Sequence, residues 1–270
     1  MLWIDGHPVA AAEPLDRGLE FGDGLFETMA VVSGRVRLLD RHLHRLSRGC
    51  ERLRLHTPDL DALREQIQVA AATPDTGVIK VIVTRGEGGV GYAMPRHSRS
   101  RVYVVTSAPR RAAIRPGIDG ARIVCLSTPI AASPRLAGLK HLNRLEQVLL
   151  RDDVAQQGVD EGLVADTAGR VISGAMTNVF LVIEGVVVTP AVEHCGIEGV
   201  MRGAVVDHLA RRGTPVVVRD VALAEVAVAS ELFLTNALLG VWPVIELDGR
   251  PLPIGPWARR LQTEIAQWAE

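Results

Sequence analysis

Lys140 is the side chain of this sequence with the clearest capacity for chemistry. Of the 30 basic residues, only Lys80 and Lys140 are lysines, and all the others are arginines. Arginine stays charged, whereas a lysine of lowered pKa can act as an amine nucleophile and form a Schiff base. A leftover surface lysine in an arginine-biased sequence is the simpler alternative. The segments around Lys140 favour the chemical interpretation.

Three further segments carry groups that could bind phosphate. Arg85–Tyr92 is rich in glycine, but it leads from one apolar strand towards another, so a wide hairpin fits it better than a dinucleotide loop. Residues 196–202 place glycines before a predicted helix, whose first backbone N–H groups can bind phosphate. Asn236 and its neighbours end a predicted strand with a hydroxyl and an amide. Each signal is weak alone, because many helices and strands begin and end in this way.

Arg45 lies on a helix that the apolar spacing predicts from Asp40, as N-cap, to Arg54. Leu43 and Leu46 face the core, so Arg45 at the edge of this stripe could reach inward. Solvent exposure is the usual alternative for a helical arginine.

The two lysines lie in different predicted surroundings. Lys140 comes just before a helix predicted over residues 142–157, and the positive end of a helix dipole disfavours an ammonium group. Lys80 lies inside an apolar strand predicted over residues 78–85, without a glycine-bearing loop beside it. The sequence therefore predicts that Lys140 is the reactive amine.

Strands in hairpins, with helices grouped between them, indicate two α+β domains. The smaller domain is predicted over residues 1–108 and the larger over 121–270. Residues 109–120, rich in proline, arginine and glycine without a clear period, are the predicted linker.

Composition excludes several classes of protein. With 47% hydrophobic residues and a net charge of −1, the chain resembles a globular protein rather than a basic nucleic-acid binder. No apolar run is long enough to span a membrane, and the first residues lack the pattern of a secretory signal. The three scattered cysteines suggest neither a metal site nor a disulfide framework. We therefore expect a cytoplasmic protein without metal, membrane or nucleic-acid partners.

Short motifs follow one another in a specific order along nearly the whole chain. They are Asp16-Arg17-Gly18, Phe21–Thr28, Arg41–Leu46, Arg85-Gly86, Lys140–Gln147, Thr177–Phe180, Gly199–Arg202 and Thr235–Ala237. In order and spacing they resemble the fold-type IV pyridoxal 5'-phosphate (PLP) enzymes, and the run that begins at Lys140 most resembles the 4-amino-4-deoxychorismate lyases. This resemblance implies a two-domain α+β fold like that of the D-amino-acid aminotransferases, with a small N-terminal α/β domain and a β-barrel-like core in the larger domain.

The resemblance also implies which residues bind the cofactor PLP. Lys140 would hold PLP covalently and act as the catalytic base. The phosphate would be bound by Arg45, by the backbone of Val200 and Met201, and by Asn236. The enzyme would be a homodimer.

Ile197 would pack on the face of the PLP ring, and Ser173 would face its pyridine nitrogen. Relatives usually carry a glutamate in place of Ser173, which keeps that nitrogen protonated. A serine hydroxyl cannot hold the proton in the same way, so the ring should stabilise a carbanion less well. Elimination tolerates this change better than transamination, because the product ring becomes aromatic. A slow or divergent enzyme is the alternative interpretation.

The implied reaction converts 4-amino-4-deoxychorismate into 4-aminobenzoate and pyruvate, a step of folate synthesis. A D-amino-acid or branched-chain aminotransferase on the same fold is the nearest alternative, and a non-catalytic relative is a more distant one. Val90 stands where lyases often carry an arginine, so another residue must bind a substrate carboxylate. Arg85 and Arg144 are the candidates, because arginine binds carboxylates in bidentate geometry.

Overall fold

The structure is a computed structural model that describes residues 2–8, 15–72, 76–108, 120–265 and 268. The chain divides into two compact units. Unit 1 contains residues 1–111, 139–143 and 268–270, and unit 2 contains residues 112–138 and 144–267. The predicted division places residues 139–143 in the larger domain, whereas the structure groups them with unit 1. Residues 109–119 of the predicted linker lie outside the described residues.

Unit 1 is built on an antiparallel sheet with the order β2-β1-β6-β5-β3-β4. Its elements are β1 (Leu2–Ile4), β2 (His7–Pro8), α1 (Arg17–Phe21), β3 (Gly24–Val32), β4 (Arg35–Val36), α2 (Leu39–Leu53), α3 (Leu60–Ala71), β5 (Thr76–Thr84) and β6 (Arg101–Ser107). Along β3, side chains at alternate positions point to the same face. Leu25, Glu27, Met29 and Val31 are all buried on the face that packs against α2.

Helix α2 begins one residue before the predicted N-cap. Leu38 is the N-cap, with a left-handed backbone (φ 57°) and no side-chain hydrogen bond to the helix. The prediction that Asp40 caps this helix is therefore wrong. Asp40 lies inside the first turn and pairs with Arg64 of α3, 2.6 Å away. Asp59, by contrast, is the N-cap of α3 and accepts hydrogen bonds from the N–H groups of Asp61 and Ala62.

Unit 2 contains a larger mixed sheet with the order β12-β11-β10-β14-β15-β7-β8-β9-β13 and with β16 beside β15. Its elements are β7 (Ala121–Cys125), α4 (Leu145–Gln156), β8 (Glu161–Ala165), β9 (Arg170–Gly174), β10 (Asn178–Ile183), β11 (Val186–Pro190), α5 (Val200–Arg211), β12 (Val217–Arg219), β13 (Val221–Ala222), α6 (Leu223–Val226), β14 (Glu231–Asn236), β15 (Gly240–Leu247), β16 (Arg250–Pro251) and α7 (Pro256–Ile265). None of the described helices is long and apolar enough to cross a membrane.

The sheet of unit 2 curls back on itself. Its end strands β12 and β13 are consecutive in the chain and are separated only by Asp220. Side chains from the end strand β13, from β11 near the other end and from the middle of the sheet belong to one buried cluster, which includes Val221, Val188 and Trp242. A sheet that encloses its own core in this way is barrel-like, as the resemblance implies.

Two elements of unit 2 differ from the sequence prediction. Helix α4 begins at Leu145 rather than residue 142, because residues 139–143 are paired with a strand of unit 1. Strand β15 is central, yet no strand was predicted there. Pro243 interrupts its apolar run, and proline within a run argues against a central strand, since it lacks the N–H that a ladder needs.

Candidate active site

Lys140 lies on a short segment that pairs with the start of β3. The N–H of Phe26 donates to the carbonyl of Lys140 (2.9 Å), and the N–H of Leu142 donates to the carbonyl of Gly24 (3.0 Å). The side chain of Lys140 is half-buried, and its Nζ lies 4.2 Å from the centre of the Phe26 ring. This backbone pairing fixes the position of Lys140 beside β3.

Lys80 is close to the same aromatic ring but in a more open position. Its Nζ lies 5.1 Å from the centre of the Phe26 ring, and the residue is exposed on β5. Both lysines of the chain therefore meet one phenylalanine, and Lys140 is the closer and more buried of the two.

Glycines allow the Lys140 segment to approach β3. A Cβ on Gly24 would collide with the carbonyl oxygen of Val83 and with the side chain of Leu142. Gly22 has a left-handed backbone (φ 65°), and its carbonyl accepts a hydrogen bond from Nδ2 of Asn143 (3.0 Å). The glycines of the Phe21–Thr28 motif are thus needed for close backbone contact.

Arg45 reaches inward from α2 to a buried glutamate on β3. Its Nε and Nη2 donate to the two carboxylate oxygens of Glu27, at 2.8 and 2.6 Å, and its side chain is 15% exposed. His42, one turn earlier on the helix, places Nδ1 2.5 Å from Oε2 of Glu27. A carboxylate on the buried face of a strand requires such partners.

The charges of this network are well defined. Burial raises the pKa of Glu27, but the charge of Arg45 and hydrogen bonds from His42 and Arg45 bring it down to about 2. Burial lowers the pKa of His42 and outweighs its hydrogen bond to Glu27, and the charges of Arg45 and Lys140 lower it further. Glu27 is therefore ionised and His42 is neutral at neutral pH.

Arg85, a predicted substrate ligand, is committed to protein groups instead. Its Nε and Nη2 donate to Asp23 (2.8 and 3.1 Å), while Nη1 and Nη2 donate to the carbonyls of Arg54 and Leu53 at the end of α2 (2.8 and 2.9 Å). The side chain is only 3% exposed. Cations at a helix C-terminus stabilise its last carbonyls, so this geometry supports a structural role for Arg85.

Arg17 explains the first sequence motif. Its Nε donates to Asp23 (3.0 Å), and Nη1 donates to the carbonyls of Gly88 and Gly91 (3.2 and 3.0 Å). The glycine-rich loop is thus held as a wide hairpin between β5 and β6, as predicted. Asp23 is shared by two buried arginines, Arg17 and Arg85.

Replacing Arg85 with leucine is expected to destabilise the fold rather than to change substrate affinity. The substitution leaves two helix carbonyls and part of a carboxylate without their donors, and removing one partner of a buried ion pair costs about 3–5 kcal/mol. Urea unfolding measures the loss. A variant that unfolds like the wild type but has a raised KM would instead support the predicted contact with substrate.

The start of α5 in unit 2 has the form of an anion site. Gly199 is the N-cap, so the N-cap residue offers no side-chain hydrogen bond to this helix, which begins with Val200 and Met201. A Cβ on Gly199 would collide with Oδ1 of Asn178. Nδ2 of Asn178 donates to the carbonyl of Ile197 (3.0 Å), which links β10 to the turn before the helix.

Thr235 adds a hydroxyl near this helix start. It pairs across the sheet with Asn178, so the two side chains lie on the same face. Thr235 is 1% exposed, and its Oγ1 has no hydrogen-bond partner in the described part of the chain. The predicted ligand Asn236 uses Oδ1 to accept from the N–H groups of Leu238 and Leu239 (3.0 and 2.7 Å).

Ile197 lies in a loop that backbone pairing holds in place. It forms a bridge with Gly138, whose N–H donates to the carbonyl of Gly196 (2.9 Å) and whose carbonyl accepts from the N–H of Glu198 (3.0 Å). Ile197 is half-buried in this position.

Ser173 lies near the end of β9 and is half-buried, with Oγ donating to the carbonyl of Gly174 (2.9 Å). The buried carboxylate of Glu161 shapes the turn that follows. It accepts from the N–H groups of Ala175 (3.1 Å) and Met176 (3.2 Å) and from Oγ1 of Thr177 (3.2 Å). Burial raises the pKa of Glu161, although these hydrogen bonds oppose the rise.

Arg144, the other predicted substrate ligand, is the N-cap residue of α4 and is half-buried. Burial lowers the pKa of its guanidinium to about 10, against the opposing charge of Glu146. Arg144 therefore carries a positive charge at neutral pH, although it is partly buried.

Several polar residues of these networks were not predicted as site residues, among them Glu27, His42, Glu161 and Thr235. Glu27 had a usable signal, because it occupies a core-facing position between Leu25 and Met29 in an alternating strand. His42 had a similar signal, because it lies on the buried stripe of α2 with Leu39 and Leu46. Among the described residues, no cluster of histidine, cysteine, aspartate or glutamate could hold a metal ion.

Known proteins are similar to this chain over most of its length. The amino-transferase class IV family matches residues 24–247. The aminodeoxychorismate lyase of Vibrio harveyi is 30% identical over 270 residues, which cover 98% of this chain and 99% of that protein. The crystal structure of 4-amino-4-deoxychorismate lyase from Pseudomonas aeruginosa is similar with a TM-score of 0.93 and 44% identity, over 98% of both chains.

The fold is also shared by a hypothetical aminotransferase from Mycobacterium tuberculosis in its PLP-bound form, with a TM-score of 0.83 at 24% identity over 95% of this chain and 94% of that one. The predicted fold class and the predicted family resemblance are thereby confirmed. The chain belongs to the amino-transferase class IV family.

Proposed function

We propose that this protein is a PLP-dependent lyase that converts 4-amino-4-deoxychorismate into 4-aminobenzoate and pyruvate. The observation that carries the proposal is the half-buried amine of Lys140, fixed by backbone pairing at the edge of β3. The likeness to the lyases of Pseudomonas aeruginosa and Vibrio harveyi supports this choice of reaction.

The residues present fit the cofactor PLP. The uncapped start of α5 offers backbone N–H groups from Val200 and Met201, and the buried hydroxyl of Thr235 lacks a partner within the described chain. A phosphate group would satisfy both, since helix N-termini bind anions. Arg45 and Asn236 complete the proposed phosphate ligands, and Ile197 is proposed to pack on the ring.

Lys140 has two proposed roles, to hold PLP and to move a proton. PLP, when bound, delocalises the negative charge that develops on substrate carbon. The amine of Lys140 accepts the proton from the ring carbon that bears nitrogen. The bond from the neighbouring carbon to the enolpyruvyl oxygen then breaks and its electron pair leaves with the oxygen, and the protonated lysine returns the proton to the departing enolate, which becomes pyruvate.

Arg144 is the proposed ligand for a substrate carboxylate. Its guanidinium stays charged although burial lowers its pKa to about 10, and a charged fork binds a carboxylate in bidentate geometry. Arg85 does not suit this role, because its donors serve Asp23 and the end of α2.

An aminotransferase is the second candidate, supported by the family name and by the fold shared with the Mycobacterium tuberculosis protein. Ser173 favours the lyase, because it has no carboxylate with which to keep the pyridine nitrogen protonated. Chromatography of products separates the two. We expect equal amounts of 4-aminobenzoate and pyruvate without an added keto acid, and a requirement for a keto acid would show an aminotransferase instead.

A homodimer and a cytoplasmic location belong to the same proposal. Helix α4 exposes Leu145 (71%), Val148 (62%) and Leu149 (55%) on one face, and a contiguous apolar surface of this kind suits contact with a second subunit. The described cysteines are all free thiols, which suits a reducing compartment.

A further inference from the structure

We propose that Glu27 and His42 are positioning residues that hold the guanidinium of Arg45 in one orientation for the phosphate of the cofactor. The proposal rests on the proposed function, because the phosphate belongs to PLP. It assigns a role to a buried pair that the chemistry of Lys140 does not use.

The geometry supports an orienting role. Glu27 binds one edge of the guanidinium of Arg45 through Nε and Nη2. A bidentate contact of this kind fixes the plane of the group as well as its position. The other terminal nitrogen, Nη1, lies outside the fork that Glu27 occupies, so the edge formed by Nη1 and Nη2 keeps a fixed direction.

His42 in turn fixes Glu27. Its Nδ1 lies 2.5 Å from Oε2, and its Nε2 is buried without a hydrogen-bond partner among the described residues. A protonated ring would bury an N–H at Nε2 with no acceptor, whereas the neutral ring with its proton on Nδ1 leaves only a lone pair unsatisfied. His42 therefore donates to Glu27 as a neutral ring.

The contacts of Glu27 with His42 and Arg45 join helix α2 to strand β3. The segment that carries Lys140 pairs with the same strand. A long arginine side chain otherwise samples many rotamers, and fixing it in advance lowers the cost of binding. The negative charge of Glu27 opposes a phosphate, so the proposal requires that orientation outweighs repulsion.

The test compares the affinities of the full-length apoprotein for PLP and for pyridoxal, which lacks the phosphate, by absorbance titration. Glu27→Gln keeps the shape but loses the second acceptor and the charge. We expect it to weaken PLP about 10-fold, roughly the loss of one charge-assisted hydrogen bond, and to leave pyridoxal unchanged. A variant that merely loosens the fold would weaken both ligands equally.

Two histidine variants sharpen the test. His42→Asn leaves space but keeps a donor near the position of Nδ1, whereas His42→Leu fills the space without a donor. Positioning predicts that the leucine variant weakens PLP selectively and that the asparagine variant binds it like the wild type. Glu65→Gln, on an exposed position of α3, is the matched control and should change neither affinity.

The outcomes separate the two proposals. If Glu27→Gln and His42→Leu keep the wild-type preference for PLP over pyridoxal, or increase it, the positioning role is overturned. If Arg45→Met also keeps that preference, Arg45 is not a phosphate ligand and the positioning role fails with it. The proposed function fails on a different result: borohydride reduction of the wild type with PLP would attach nothing to Lys140.

Discussion

Replacing Lys140 with alanine is expected to remove the covalent bond to PLP and to lower the rate of 4-aminobenzoate formation by about 10⁴-fold, the upper range for loss of a positioned acid–base group. The effect is large because the same amine holds the cofactor and moves the proton. No other lysine can replace it, since Lys80 lies further from Phe26 and projects from a different strand.

Lys80→Ala is the matched control, because it removes the only other lysine amine from the same aromatic ring. Borohydride reduction followed by peptide mapping should label Lys140 in the wild type and in Lys80→Ala, and no peptide in Lys140→Ala. Labelling of Lys80, or full activity in Lys140→Ala, would refute the assignment of the catalytic amine.

Ser173→Glu is expected to raise the rate of transamination by about 10-fold or more, which corresponds to lowering the activation free energy by about 1.4 kcal/mol. A carboxylate at this position would keep the pyridine nitrogen protonated and so stabilise a carbanion on the substrate. The lyase reaction gains less, because aromatisation of its product supplies driving force of its own.

The measurement is the release of pyruvate from D-alanine with 2-oxoglutarate as acceptor. Ser173→Gln has almost the size of glutamate without its charge, so it separates the effect of the carboxylate from the effect of bulk. If the wild type already transaminates as fast as Ser173→Glu, Ser173 does not favour elimination over transamination, and this interpretation of the serine fails.

Local patterns predicted much of the fold. Helix α3 follows its Asp59 cap, and β5 and β6 are continuous apolar runs on either side of a glycine-rich loop. Strand β15 escaped prediction, because Pro243 lies in it and because its neighbour β7 is distant in sequence, although its other neighbour β14 directly precedes it. Only the assembled sheet shows that this run is central.

The candidate site was partly predictable for a related reason. Lys140 stands out because lysine is rare, and the glycines before α5 mark a helix start. The local sequence does not predict where the guanidinium of an arginine points in the folded protein. Arg45 points inward because it donates hydrogen bonds to Glu27 on β3. Arg85 is held by the backbone carbonyls at the end of α2, to which it donates hydrogen bonds. Both contacts join residues far apart in the chain.

The pairing of Glu27 with Arg45 makes the proposed phosphate anchor insensitive to ordinary changes of acidity. Glu27 has a pKa of about 2, below its usual 4.5, so its contribution to stability is complete above 4.5 and is lost only as pH falls towards 2. Between weakly acidic and alkaline solution, the carboxylate that orients Arg45 therefore keeps its charge.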